Sequence, residues 1–414
     1  MNRLTIFLSF LCFYFVQVSF GQPPMTDEQL RNWRNARMVS QFASPDWSGQ
    51  LIKTSRTERI DNVLPVRGLA IAAPSVRAVD QFVRFIEEEL APAHFNMLIL
   101  RVDWNYAYES HPELRDSDPL TRADVKKIVE ACKRHNIQVA PQINLLGHQS
   151  WSSTTHNLLR VYPQFDEAPH IRTQDYADLP NPRTASNSLY CKSYCPLHPD
   201  VHRVVFALVD ELMDVFEAHW FHAGMDEVFH LADERCPRCR GKCKAELFAG
   251  EVNKIQDHLA KRNRRLMIWA DRLIDGQLTG LGAWEASMNN TAPAIDMINK
   301  DVYMCDWHYE RADLTAVWFA MKGFDVATCP WRNPELAAIQ LQNMLDFRRQ
   351  TLRIAMGPRF QGIIQTVWSG ADQFLRAYYD PASYTVAGSP ADNTNAFVAQ
   401  TVKRMMDEFK KLNE

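Results

Sequence analysis

The sequence has no surplus of charge: 46 lysines and arginines stand against 49 aspartates and glutamates, a net charge of −3 in 414 residues. A nucleic acid or an anionic membrane surface calls for a concentrated positive field, so neither is expected as a partner. After the first twenty or so residues no run is apolar enough to cross a bilayer. No Gly/Ser-rich linker, composition shift or internal repeat divides the chain, which argues against several domains or a solenoid. No glycine-rich turn of the nucleotide-binding kind follows a strand-like run, and no metal-ligand triad stands out. No metal or organic cofactor is therefore expected. What is present is ordinary for a globular protein: 46% hydrophobic and 23% charged residues, too apolar for disorder.

The N-terminus is the exception to the missing apolar runs. Arg3 precedes an apolar stretch over 4–16, and Ser19-Phe20-Gly21 offers a small-x-small cleavage site. Residues 1–21 are expected to be a cleaved signal peptide, making the protein secreted or periplasmic and free of a membrane anchor. Eight cysteines follow: Cys132, Cys191, Cys195, Cys236, Cys239, Cys243, Cys305 and Cys329. Export permits disulfides. Cys236, Cys239 and Cys243 have zinc-knuckle spacing, but a structural zinc wants four ligands and no fourth is obvious nearby, so disulfides or free thiols are the preferred reading. Cys132 falls on a helical apolar stripe and reads as core.

Apolar, β-branched runs at 66–73, 96–103, 137–144, 220–226, 266–271, 302–307, 325–329 and 362–368 alternate with amphipathic helical stretches. Over 121–135, Val125, Ile128, Val129 and Cys132 recur at i, i+3, i+4, i+7, and Thr121 with Asp124 resembles a capping box. Phe248, Val252, Ile255 and Leu259 form a second such face. Eight strand–helix units in one uninterrupted series predict an α/β fold, a single TIM (β/α)8 barrel over 61–414. Residues 22–60 are expected to pack on it as an N-terminal extension. The one long insertion, 147–199, follows the third strand and falls on the C-terminal face, where active sites of such barrels sit.

Polar and aromatic residues near the strand ends should then converge: Arg67 on the first strand, Asp103 after the second, Asn144 and His148 after the third. His222, Asp226 and Glu227 come from the fourth, Trp269 and Asp271 from the fifth, Asp306, Trp307 and Tyr309 from the sixth. Trp331 and Trp368 come from the last two. Indoles that stack on C–H faces, beside paired carboxylates, suit a sugar. Adjacent side chains on a strand point to opposite faces, so Asp226 and Glu227 can share a substrate only where the strand breaks. An ordinary retaining glycosidase needs its two carboxylates across the scissile bond, about 5–5.5 Å apart, which neighbours in sequence fit poorly. They fit better a scheme in which one acid protonates the leaving oxygen and the other orients a nucleophile belonging to the substrate.

His222-Ala223-Gly224-Met225-Asp226-Glu227 resembles the H-x-G-x-D-E signature of glycoside hydrolase family 20, the β-N-acetylhexosaminidases. Residues 141–148 (PQINLLGH) resemble the family's P-E-I-D-x-P-G-H segment, Arg67-Gly68-Leu69 its R-G opening, and Trp368 the tryptophan of its last strand. The order and spacing agree from about residue 65 to 375. The resemblance implies hydrolysis of terminal β-linked N-acetylglucosamine or N-acetylgalactosamine from a carbohydrate, with retention and substrate assistance. The 2-acetamido carbonyl would attack the anomeric carbon and form an oxazolinium. Asp226 would hold the acetamido N–H; Glu227 would be acid and then base. Arg67 would bind ring hydroxyls, Trp269, Trp307 and Trp368 would wall the pocket, and His148 and His222 would orient the acids.

The chain departs from the family pattern in several places. Gln142 and Asn144 replace a Glu and an Asp. The family's Tyr-x-Leu-Asp after the seventh strand is not visible at 329–334, leaving Tyr309 as the candidate to align the acetamido group. Gly370 stands where a glutamate contacts outer hydroxyls, and residues 22–60 are too few for the usual N-terminal α+β domain. Two other functions fit these departures: a barrel that binds amino sugars without turnover, and a conventional retaining glycosidase with its nucleophile among Asp271, Asp306 and Glu310.

Overall fold

The computed structural model describes residues 60–151, 153–172, 191–381 and 394–414. The expected signal peptide, nearly all of the extension and part of the 147–199 insertion lie outside the described residues. Glu58–Glu414 forms one compact unit. Its eight barrel strands are β1 (Val66–Ala72), β2 (Met97–Arg101), β3 (Gln138–Leu145), β4 (Trp220–Gly224), β5 (Arg265–Trp269), β6 (Tyr303–Trp307), β7 (Val326–Cys329) and β8 (Phe360–Val367), besides a two-residue antiparallel pair at Ser150–Trp151 and Thr154–Thr155. The eight all pair in parallel, each with its sequence neighbours, and β8 closes on β1 in a barrel. The TIM barrel read from the sequence is therefore the observed fold.

The period of two along each strand divides the core in two. Ala70, Ile99, Ala140, Met267, Cys305, Ala327 and Ile364 fill the barrel interior. The alternate residues Leu69, Leu98, Val139, Phe221, Leu266, Met304, Val326 and Ile363 face the surrounding helices. The larger helices are α1 (Val79–Phe85), α2 (Arg122–Arg134), α3 (Val201–Val215), α4 (Lys244–Ala260), α5 (Thr315–Met321), α6 (Pro334–Gln350), α7 (Ala371–Tyr379) and α8 (Thr394–Asn413). The Thr121 hydroxyl accepts from the Asp124 amide while the Asp124 carboxylate accepts from the Thr121 amide, so Asp completes the box that Glu or Gln usually closes. Phe248, Val252, Ile255 and Leu259 are all buried on α4, and Cys132 is buried on α2.

One unit differs from the expected regularity. Between β5 and β6 no long helix forms; Gly276–Thr279 makes a single helical turn and Ala292–Asp296 a 3-10 turn. Gly280 ends the first turn in the left-handed region at φ 74°, and Pro293 and two further glycines interrupt the segment, so helix propagation fails there. No helix among the described residues is long and apolar enough to cross a membrane.

Candidate active site

The fourth strand breaks at the acid pair. β4 ends at Gly224, whose φ is +68°; Met225 follows at 73° and Glu227 at 49°. A Cβ on Gly224 would lie 2.6 Å from Asn144 Oδ1, so only glycine lets the third and fourth strand ends approach. Asp103 (46°) and His148 (51°) are left-handed as well. Left-handed backbone in non-glycine residues costs about 1–3 kcal/mol each and persists only where the surroundings enforce it. Its result here is that Asp226 and Glu227, neighbours in sequence, turn toward one another's side of the mouth.

A single imidazole nitrogen joins them. His148 Nε2 lies 3.1 Å from Asp226 Oδ2 and 3.2 Å from Glu227 Oε2. Burial opposes charge on this ring, but the Asp226 carboxylate, by its charge and its hydrogen bond, outweighs it and holds the His148 pKa well above the usual histidine value. Burial likewise pushes the Asp226 carboxyl up, and the His148 charge and hydrogen bond bring it net below the ordinary aspartate value. Asp226 Oδ1 is buried and has no hydrogen-bond partner. Below them, His222 is fully buried and its Nδ1 accepts from the Gly224 amide at 3.0 Å. Burial drives its pKa down to about 3, so the ring is neutral.

Asp271, at the end of β5, holds the acid pair from the other side. One of its oxygens accepts from the Glu227 amide at 3.0 Å and from Arg272 at 2.6 Å; the other accepts from the Trp307 indole at 3.2 Å. Burial raises its pKa to about 6 against the pull of Arg272. At the end of β2, Asp103 accepts from the Asn144 backbone amide at 2.8 Å, and Asn144 in turn accepts from Gln142 at 3.0 Å. The amides at 142 and 144 thus leave one carboxylate in this network in place of three.

The opposite side of the mouth is aromatic. His222 packs on Trp269 (centroids 4.4 Å apart), Trp269 on Trp368 (5.3 Å), and the Trp368 indole donates to the Tyr309 hydroxyl at 2.6 Å. Tyr309 stacks on Trp307 (4.9 Å) and meets Trp331 (5.2 Å), whose indole N–H has no hydrogen-bond partner.

Of the expected site residues, Asp103, His148, His222, Asp226, Glu227, Trp269, Trp307, Tyr309, Trp331 and Trp368 are brought together at this end. Arg67 is not. It opens β1 at the N-terminal end, and its guanidinium donates to the carbonyls of Leu64 and His94 and to Asp61. Its parity also matches Leu69 and Ile71, which face the helices rather than the interior. Arg67 is a floor residue and its expected contact with ring hydroxyls is withdrawn.

Two participants were not among the expected residues. Cys191, read as a disulfide or thiol position, donates from Sγ to Glu227 Oε2 at 3.4 Å and lies 3.6 Å from His148 Nδ1; burial pushes its pKa up to about 12, so it is a thiol. Trp151, half exposed, stacks on the His148 ring at 5.5 Å. Both lie in the long insertion, whose position was legible but whose path was not. None of the eight cysteines described forms a disulfide.

Residues 83–346 match the catalytic domain of glycosyl hydrolase family 20. Hexosaminidase D of Bos taurus is 23% identical over 295 residues, 67% of this chain and 77% of that protein. Lacto-N-biosidase of Bifidobacterium bifidum is 23% identical over 250 residues, 58% of this chain, and a β-hexosaminidase of Vibrio furnissii 22% identical over 267. The chain spans only 20% and 35% of those two bacterial proteins. The chitobiase of Flavobacterium johnsoniae superposes with a TM-score of 0.56 at 16% identity, over 84% of this chain and 52% of that one, a likeness of fold. The matched segment runs from before β2 to beyond β7 and includes the acid pair; the chain belongs to glycosyl hydrolase family 20.

Proposed function

We propose that this chain is an exported exo-glycosidase that removes terminal β-linked N-acetylglucosamine or N-acetylgalactosamine by a retaining, substrate-assisted reaction. The observation that carries the reading is Asp226. Its Oδ2 is held by His148, and its Oδ1 is a buried acceptor without a donor. Leaving such an acceptor unpaired costs about 1–3 kcal/mol, which an acetamido N–H would recover. With that N–H held and the carboxylate ionised, positive charge growing on the acetamido group as its oxygen attacks the anomeric carbon is stabilised. Glu227 donates its proton to the leaving oxygen and then takes one from water, which returns the glutamate to its starting state. Tyr309 accepts from Trp368 and its hydroxyl also meets the Thr366 side chain; to align the acetamido carbonyl its O–H exchanges that contact for the substrate.

The conventional retaining alternative is poorly supported. Asp271 is committed to the Glu227 amide, Arg272 and Trp307; Asp306 accepts from Thr315 and pairs with His308; Glu310 is exposed against Arg332. The test is an assay on 4-nitrophenyl β-N-acetylglucosaminide, the galactosaminide and the plain β-glucoside, beside Glu227→Gln. Cleavage of the acetamido sugars alone, blocked by a thiazoline that copies the oxazolinium and reduced about 10²–10⁴-fold in the variant, is expected. Binding of acetamido sugars without turnover would establish the non-catalytic reading instead.

A further inference from the structure

We propose a structural zinc site formed by Cys195, Cys236, Cys239 and Glu167, independent of the catalytic reading. The four residues are buried and their ligand atoms lie within 4.8 Å of one another. The Cys195 sulphur is 3.3 Å from that of Cys239 and 3.6 Å from that of Cys236. A tetrahedral zinc with Zn–S bonds of about 2.3 Å sets its sulphurs about 3.8 Å apart, within a small adjustment of these separations. From the sequence, Cys236, Cys239 and Cys243 have zinc-knuckle spacing, and zinc is set aside there for want of an obvious fourth ligand. In the fold Cys243 is exposed and outside the cluster, and the missing ligands come from the long insertion after β3.

Several observations favour an ion over a disulfide. A sulphur enters one disulfide only, so any pairing among the three leaves a third thiol and the Glu167 carboxylate buried together. Glu167 is fully buried; its Oε1 accepts from the Asp233 amide at 3.1 Å, while Oε2 has no hydrogen-bond partner. One cation satisfies all four groups. The backbone amide of Leu197 donates to the Cys195 sulphur, and those of Arg238 and Cys239 donate to the Cys236 sulphur, so both sulphurs are held in place from the backbone. Three thiolates and a carboxylate around Zn²⁺ carry a net charge of −2, and the intervening sequence, Pro-Arg-Cys-Arg-Gly-Lys, supplies basic residues at 238, 240 and 242.

The position gives the site its use. Glu167 and Cys195 belong to the insertion that delivers His148 and Cys191, and Cys236 and Cys239 to the loop that leaves Asp226 and Glu227. A shared ion fastens the two loops that meet at the acid pair, adding a cross-link to the hydrophobic packing that already buries the three cysteines.

The experiment is elemental analysis of full-length protein purified without chelators, with Cys243→Ser and Glu167→Gln beside the wild type. One zinc per chain is expected in the wild type and in Cys243→Ser, with loss of most of it from Glu167→Gln during dialysis against a chelator that the wild type withstands. Cobalt exchanged into the wild type should show thiolate-to-metal charge-transfer absorption and the intense visible bands of a tetrahedral centre. Because Cys239→Ser risks failing to fold, the wild-type cobalt spectrum and the Glu167 variant carry the test. Absence of stoichiometric metal, or a Cys195–Cys239 disulfide found by mass spectrometry of the unreduced protein, would overturn the proposal. Catalytic inactivity with one bound zinc would leave the site intact and count only against the glycosidase reading.

Discussion

The two halves of the barrel mouth are built on opposite terms. On the side of β2 to β4, Asp103, His148, Met225 and Glu227 all sit in left-handed backbone, carboxylates are buried, and one histidine nitrogen serves two of them. On the side of β6 to β8, none of the described non-glycine residues at the strand ends has positive φ, and the indoles and the tyrosine support one another by ring contacts. The first half holds strain and a buried carboxylate oxygen, Asp226 Oδ1, without a partner; in the second the rings pack on one another, with the indole N–H groups of Trp269 and Trp331 unpaired. Lesions on the acid side should therefore fall on turnover, and lesions on the aromatic side on stability and affinity.

The largest expected effect breaks the acid side. Asp226→Asn should lower kcat/KM about 10²–10³-fold, because it removes the charge that faces the developing cation, with far-UV circular dichroism unchanged. Next, Trp269→Ala should cost about 3–5 kcal/mol of stability in urea titrations, since this ring is buried between His222 and Trp368. A smaller loss would mean the wall is less tightly packed than the acid side.

The third prediction uses pH. His222 is depressed to about 3, so the unfolded chain binds its proton first; its contribution is present above about pH 6.5 and is lost as pH falls toward 3. His222→Asn keeps an acceptor for the Gly224 amide without titrating. Between pH 7 and pH 4.5 the wild type should lose about 1–3 kcal/mol relative to this variant. The Asp226–His148 pair behaves differently. Asp226, depressed, stabilises above the ordinary aspartate pKa and loses that contribution as pH falls through its folded value; His148, raised, stabilises below about pH 6.5 and loses its contribution as pH rises through its folded value. The smallest effect is expected at Trp331, half-buried beneath Arg332 at 4.4 Å. Trp331→Ala should raise KM a few-fold, about 1 kcal/mol, and leave kcat nearly unchanged.

Much of this was legible because strand parity and strand order are local. The apolar runs marked all eight strands to within a residue or two. Asp103, Asn144, His222, Trp269, Trp307, Trp331 and Trp368 share the parity of the interior residues below them. The same rule separates Arg67, which falls with Leu69 on the outward face; a motif match outweighed the parity there. What could not be read depends on chain paths with no periodicity. Cys191 reaches Glu227, and Glu167 and Cys195 reach Cys236 and Cys239, only because a long insertion folds back over the rim. Asp271 was visible as a strand-end carboxylate, but its commitment to the Glu227 amide follows from the break at Gly224, which φ angles reveal and sequence does not.

The central claim is that the nucleophile is the substrate's own acetamido oxygen, with Asp226 and Glu227 dividing the supporting work. It is tested most directly by measuring kcat/KM for a series of 4-nitrophenyl β-glucosaminides whose N-acetyl group carries zero, one, two and three fluorines. Each fluorine withdraws electrons from the carbonyl oxygen without altering the leaving group. The account predicts a steep, progressive fall along the series; a flat response across all four substrates would contradict it and place the nucleophile on the protein.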